Sequence, residues 1–281
     1  MQTEITDIIE LAPFEARHLE DAVALSRAAA WPHRKEDWAM VWGLSEGRVA
    51  LAGDRVVGTA LMTPFGKTCA TVNLIIVDQT IRGRGLGRRL TTAAVELADG
   101  RECRLVATSD GLPLYEKLGF HRTHDIFQHQ GLAGSVTPPT NVEWAGATDL
   151  KPLIDLDAVA FGADRRDLFA VLASQGRFAV MRDNGRIVAF AAVRPFGRGE
   201  VIGPVVGQSE DQARTLIAFI LASRQGRFVR VDVAGKNDLA PWLENLGLAH
   251  VGGGIAMSRG GSEPREPATV QTFALASQAL G

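Results

Sequence analysis

Apolar and polar residues alternate through 47-GRVALAGDRVVGTALMTPFG-66, which marks two strands folding back at Gly53-Asp54. The stretch 176-GRFAVMRDNGRIVAFAAVRPFG-197 repeats that layout around Asp183-Asn184-Gly185, and both stretches end in Pro-Phe-Gly. A second pair of anchors, 112-LPLYEKLGF-120 and 240-APWLENLGL-248, keeps nearly the same spacing. Phe65 and Phe196 lie 131 positions apart, and Gly119 and Gly247 lie 128 apart. An offset that holds at two separate anchors implies a duplicated unit of domain size, far longer than a solenoid repeat.

Within the first unit the periodicity predicts helices over roughly 15–30 and 35–44, then the two strands and a strand over 70–78. A helix over 86–99, a strand over 103–108, a helix over 112–118 and a strand over 120–129 follow. The second unit predicts the same order: helices over roughly 148–160 and 164–174, and strands over 177–182, 186–194 and 200–206. After these come a helix over 209–223, a strand over 227–233, a helix over 239–246 and a strand over 250–257. The fold class is therefore α/β with a mixed, mostly antiparallel sheet flanked by helices, present twice in tandem. The small, proline-bearing stretch 134–140 reads as a linker between residues 1–133 and 141–281. The tail from Arg259 reads as loop and then a late strand or packing segment.

With 281 residues and 46% hydrophobic composition the chain can bury a sizeable core. Thirty basic against 32 acidic residues argues against nucleic acid as the main partner. Two cysteines make no disulfide framework, and no apolar run reaches membrane-spanning length. The acidic N-terminus lacks the order of a signal peptide, so a cytoplasmic protein with no membrane partner is expected. The sequence leaves the oligomeric state open.

Between the apolar run 72-VNLIIVD-78 and the predicted helix lies 81-IRGRGLGRRL-90. Glycine permits left-handed backbone and lets a ligand approach the main chain. The N-terminus of a helix presents unpaired N–H groups and positive partial charge. Arginines beside such a turn make an anion cradle, most often for phosphate. The loop lacks the Gly-Lys-Ser/Thr of a Walker site, and its strictly alternating glycines depart from the dinucleotide fingerprint.

The string Arg82-Gly83-Arg84-Gly85-Leu86-Gly87 resembles Arg/Gln-x-x-Gly-x-Gly/Ala, the acyl-coenzyme A signature of the GCN5-related N-acetyltransferases (GNAT). The preceding Ile76-Val77 and the later Leu114-Tyr115-Glu116-Lys117-Leu118-Gly119-Phe120 stand where that family places them. The resemblance is strong over the first half; the second half resembles the degenerate copy of a tandem-domain subgroup. It implies an acetyl-CoA-dependent N-acetyltransferase acting on a small-molecule primary amine, without a metal. A non-catalytic acyl-CoA-binding sensor or interaction protein is the alternative. The resemblance also implies that main-chain groups of Ile75, Ile76 and Val77 pair with the pantetheine arm. Arg82, Gly83, Arg84, Gly85, Leu86, Gly87, Arg88 and Arg89 would hold the pyrophosphate. Tyr115 matches the tyrosine whose hydroxyl lies near the thioester sulfur and would act as general acid.

The general base is open. Many relatives carry a glutamate on the strand before the loop; this chain has Asn73, which cannot take a proton, near that place. Asp110 and His33 are the candidates for the base, and Trp31, Asn73 and Asp232 for acceptor contacts. His121, His124 and His129 fall on opposite strand faces and make a poor metal site. In the second copy, 203-GPVVGQSEDQART-215 replaces the glycine loop, and Ser209, Glu210 and Asp211 place negative charge where phosphate would sit. One coenzyme site per chain is expected, with the second copy as helper and its Asp232 and Trp242 nearest the acceptor.

Overall fold

The structure, a computed structural model, describes residues 9–235, 237–261 and 269–281. The first half runs β1 (Ile9–Pro13), α1 (Leu19–Ala28), α2 (Lys35–Gly43), β2 (Glu46–Ala52), β3 (Arg55–Phe65), β4 (Cys69–Val77), α3 (Leu86–Leu97), β5 (Glu102–Ala107), α4 (Leu112–Lys117) and β6 (His121–Leu132). The second repeats it as β7 (Glu143–Trp144), α5 (Leu150–Phe161), α6 (Arg166–Gln175), β8 (Arg177–Asp183), β9 (Arg186–Phe196), β10 (Gly199–Gly207), α7 (Glu210–Ala222), β11 (Phe228–Ala234), α8 (Leu239–Asn245) and β12 (Ala249–Arg259). The tail adds β13 (Gln271–Ala274). The edge strands β1 and β7 were not expected from periodicity. Each is too short to carry a pattern and exists by pairing, β1 with β2 and β7 with β8. No helix among the described residues is long and apolar enough to cross a membrane.

All strands form one sheet in the order β1-β2-β3-β4-β5-β12-β6-β11-β13-β10-β9-β8-β7. The two halves exchange their last long strands. β6 pairs antiparallel with β11 from Phe228↔Leu132 to Ala234↔Ile126, while β12 pairs with β5 from Ile255↔Ala107 to Arg259↔Cys103. β6 and β12 pair with each other at the centre. Two connected sheets thus become one, and neither half closes its own.

The helices make two layers. α3 buries Leu86, Leu90 and Ala94, spaced four apart, against the first half, and α7 buries Leu216, Ile217 and Ile220 against the second. Across the other face one core joins both halves, with Trp38 and Val41 of α2 in the same cluster as Leu153, Leu168 and Phe169 of α5 and α6. Burying each such large side chain contributes about 1.5–3 kcal/mol.

The Pro-Phe-Gly turns make reciprocal contacts. Phe196 lies edge-on to His33, and Phe65 lies edge-on to Phe161. A Cβ on Gly197 would sit 3.1 Å from the Pro32 carbonyl, and one on Gly66 would sit 3.3 Å from Asp164 Cβ. Both glycines also have φ near +60°, so small size and left-handed backbone are needed together. The Gly197 N–H donates to Asp37 at 2.9 Å, and Asp37 also accepts from the Arg34 N–H and guanidinium. Burial alone would raise the Asp37 pKa. Arg34 and the two N–H donors more than offset this and hold it below the usual carboxylate value.

Two outcomes are expected. Residues 1–136 expressed alone leave β6 without either partner, so the fragment should show no cooperative thermal transition, whereas coexpression with 138–281 should restore one. A sharp melt of the isolated fragment would contradict the exchange. Asp37→Asn should cost about 1.5–3 kcal/mol at neutral pH, the value of hydrogen bonds to a charged group. Because the folded pKa lies below the unfolded one, the carboxylate stabilises above the unfolded value of about 3.9. The gap between wild type and variant should therefore close as pH falls below it, measured by denaturant unfolding.

Candidate functional site

β4 is kinked by a bulge. Leu74 and Ile75 together oppose Ala60, Leu74 has φ 47°, and its carbonyl accepts from the Thr59 hydroxyl at 2.7 Å. β4 and β5 run parallel but pair only over Cys69–Thr71 with Glu102–Arg104. Beyond the bulge they part, and the edge of β4 that carries Ile75, Ile76 and Val77 has no strand partner on the β5 side among the described residues. The chain then turns over Asp78, whose carboxylate accepts from Thr80 N at 2.9 Å, and enters the glycine loop.

Gly83 and Gly85 have φ 82° and 76°, and Gly85 is the N-cap of α3. A Cβ built on either meets nothing within 4 Å, so the space before the first-turn amides is open. Those amides have no acceptor in the helix. Arg82, Arg84 and Arg88 are exposed and in no ion pair among the described residues, while Arg89 donates to the Ile9 carbonyl at 3.0 Å. Leu86 is buried beneath the loop, and Gly87 faces Leu114. An anionic, elongated ligand fits this cradle, with its chain along β4.

The second half repeats the bulge at Gly203-Pro204, opposite Ala192, and β10 and β11 again pair only briefly, over Glu200–Ile202 with Val229–Val231. There the wedge is filled. β13 inserts antiparallel to β10, with Val205↔Ala274, Val206↔Thr272 and Gly207↔Gln271. Of the two readings of the tail, late strand or packing segment, the strand is the one formed, and it occupies the edge to which an arm would add. The helix start is closed as well, since Ser209 caps Gln212 N and Glu210 and Asp211 occupy the first turn.

A cavity of about 760 Å³ opens beside the first wedge, walled by both halves. Tyr115 lines it from α4, packed edge-on against Phe120, and burial pushes its phenol up to about 12. Trp31 and His33 line it from the α1–α2 loop. The His33 Nδ1 faces the Ser26 hydroxyl at 3.4 Å, and that hydroxyl also accepts from Trp38 Nε1. Burial pushes the His33 pKa down to about 4, against the pull of Asp37 and helped by Arg230 and Arg194. Asn73 lines the wall with its amide nitrogen held by Thr63 and Thr71 and its Oδ1 unpartnered.

Two candidates lie elsewhere. Asp110 is exposed on the turn before α4 and does not line the cavity. Asp232 is fully buried and engaged by Arg230 through three contacts of 2.9–3.1 Å and by Gln278 at 3.0 Å. A free carboxylate for a cationic amine, as expected of Asp232, is thus replaced by the guanidinium of its partner. Trp242 packs into the second core instead of the cavity wall. Among the described residues no three His, Cys, Asp or Glu gather as metal ligands, and the His129 ring faces the Leu248 carbonyl.

The second half reaches the cavity through groups that pattern reading did not single out: Arg194, Arg198, Arg230, Ser277 and Gln278. One signal was present. The repeat aligns Arg194-Pro-Phe-Gly with Thr63-Pro-Phe-Gly, an arginine where its twin has threonine in a strand that reads as buried.

Two family profiles, each described as an acetyltransferase (GNAT) domain, match residues 39–122 and 153–272. An uncharacterized N-acetyltransferase of Bacillus subtilis, YitH, is 29% identical over 239 residues, covering 81% of this chain and 83% of its own. A solved protein of Pyrococcus horikoshii superposes with TM-score 0.80 at 20% identity, covering 97% of this chain and 96% of its own. A tandem GNAT protein from the clavulanic acid biosynthesis pathway superposes with TM-score 0.62 at 18% identity, covering 91% and 100%. With both halves matched and the fold shared along the whole chain, the protein belongs to the GNAT acetyltransferases and carries two such domains in tandem.

Proposed function

We propose that the protein is an acetyl-CoA-dependent N-acetyltransferase with one working site, in its first half, acting on a small primary amine. The observation that carries this reading is one continuous path. An open glycine cradle leads to an unpaired β4 edge, and that edge leads to a cavity lined by Tyr115. Acetyl-CoA supplies the activated acetyl thioester. The amides from Arg84 to Arg88 hold its pyrophosphate, with Arg82, Arg84 and Arg88 adding charge; the Arg89 N–H, expected to join them, already donates to the Gly85 carbonyl at 3.1 Å. Main-chain groups of Ile75, Ile76 and Val77 hold the pantetheine arm as a strand would, and the Val77 N–H polarises the acetyl carbonyl.

Tyr115 keeps its proton at neutral pH, because its phenol titrates at about 12, and donates it as the sulfur leaves. The amine must attack uncharged. His33 is neutral but, with a pKa of about 4, a weak base, and Asp110 lies outside the cavity. The surroundings do part of that work. Burial against the apolar side chains of the cavity disfavours an ammonium and lowers the pKa of an amine held there, so its proton can leave to water. The second half closes the acceptor cavity and binds no coenzyme. A non-catalytic acyl-CoA binder is the second reading, favoured by the neutral Asn73 on β4.

Thiol release from acetyl-CoA over an amine panel separates the two, and coenzyme binding without turnover would leave the second. Calorimetry should give one acetyl-CoA per chain. Gly85→Val should weaken binding at least tenfold, because a β-branched residue resists φ 76° and its side chain enters the cradle. Two equivalent sites, or unchanged affinity in a folded variant, would sink the assignment. Tyr115→Phe should lower kcat by about ten- to a thousand-fold with coenzyme affinity nearly intact. In the wild type the rate should rise with pH as the amine deprotonates, with no loss to Tyr115 ionisation below about pH 10. A wild-type kcat in the phenylalanine variant would reduce Tyr115 to packing.

A further inference from the structure

The cavity holds more positive charge than its walls neutralise. Arg230 is matched by Asp232, and Asp37, the carboxylate in the lining, is matched by Arg34. That leaves Arg27, Arg194 and Arg198, none in an ion pair among the described residues. Arg27 and Arg198 are exposed, and water can solvate them. Arg194 is not: it is 2% exposed, and its guanidinium donates only to the Pro195 carbonyl at 3.2 Å and the Ala276 carbonyl at 3.4 Å. Its Nε–H has no acceptor among the described residues; the guanidinium lies 5.2 Å from the centre of the Phe196 ring and feels, without pairing, the carboxylates of Asp37 and Asp232. Beside it, the Ser277 hydroxyl lines the same cavity, also buried and without a partner among the described residues.

A buried guanidinium without a paired counterion is costly to desolvate, and folds keep such a group only where something offsets that cost. Burial pulls the Arg194 pKa down to about 10, so it is still charged at neutral pH. We propose that Arg194, with Ser277 beside it and Arg198 at the rim, is an anion subsite of the acceptor cavity, so that the substrate is a small amine that also carries a carboxylate or phosphate group. This rests on the acetyltransferase reading for the word substrate, but the subsite itself does not. The anion docks on the second half's arginines, and the amine is left free to point toward Asn73, Tyr115 and the wedge. Recruitment of an arginine by the second half also gives that half a role in specificity, although its own coenzyme wedge is filled by β13.

The test is first one of binding, without acetyl-CoA. Inorganic phosphate should raise the wild-type melting temperature saturably. Arg194→Met should remove a charge that has no partner, so its melting temperature without phosphate should equal or exceed that of wild type. It should also need at least tenfold more phosphate for the same rise. Arg198→Ala, at an exposed position that threatens no core, should show a smaller weakening in the same direction. Arg84→Ala in the glycine loop separates phosphate held at the coenzyme cradle: a loss there with none in Arg194→Met overturns the proposal. So does wild type without a saturable response. In the second arm, thiol release is compared across O-phosphoethanolamine, β-alanine, ethanolamine and 1,4-diaminobutane. Preference for either anionic amine, lost tenfold or more in kcat/KM in Arg194→Met, supports the subsite and tells phosphate from carboxylate. Preference for the diamine overturns it. Anion binding without any acetyl transfer would count against the enzyme reading alone.

Discussion

The exchange of β6 and β12 between the halves is the constraint on which the rest of the structure depends. A strand that completes the neighbour's sheet fixes the two halves at one separation and one angle, because the ladder hydrogen bonds allow no sliding. It also brings the faces of both halves to one place. Gln128 and Gln130 of β6, and Gly252 and Gly253 of β12, lie in the wall of the cavity. Without the exchange the cavity would be bounded by one half only, and Arg194 and Arg230 would have no route to it.

Duplication then gives symmetric parts with unequal fates. Both halves bulge the strand before the first α3-type helix, both part their parallel pair after three residues, and both present a Pro-Phe-Gly turn to the other. The difference lies in what enters each wedge. In the first half glycines hold the helix start open; in the second, β13 satisfies the free edge of β10 and acidic residues meet the positive end of α7. A backbone edge exposed by a bulge needs a partner. In the second half β13 fills that place from the same chain, and in the first half no described strand does.

Charge in the cavity follows from the same division. The carboxylates near it, Asp37 and Asp232, are each taken by an arginine of their own half. What faces the cavity is therefore donor-rich: guanidiniums, the Ser277 hydroxyl and the Tyr115 phenol.

The sequence by itself determined the duplication, the order of the long elements and the glycine cradle, because each is written in local terms: strand alternation, helical period, and glycine spacing at a helix start. The cradle around Arg82 to Arg89 was legible for that reason, whereas Tyr115 was singled out only through its resemblance to the family tyrosine; Trp31, His33 and Tyr115 all line the cavity. The tertiary structure decided the strand exchange, since β6 and β12 carry the same pattern whichever half they pair with. It decided that Asp232 is spent on Arg230, two residues away on the same strand face, and that Asp110 points outward. It also decided that Arg194 is a buried, unmatched charge, because whether an arginine has a partner depends on which strands lie beside it. The tail was ambiguous for a similar reason. Four residues, Gln271–Ala274, show no period of their own, and become a strand only because the bulge in β10 opened a place for one.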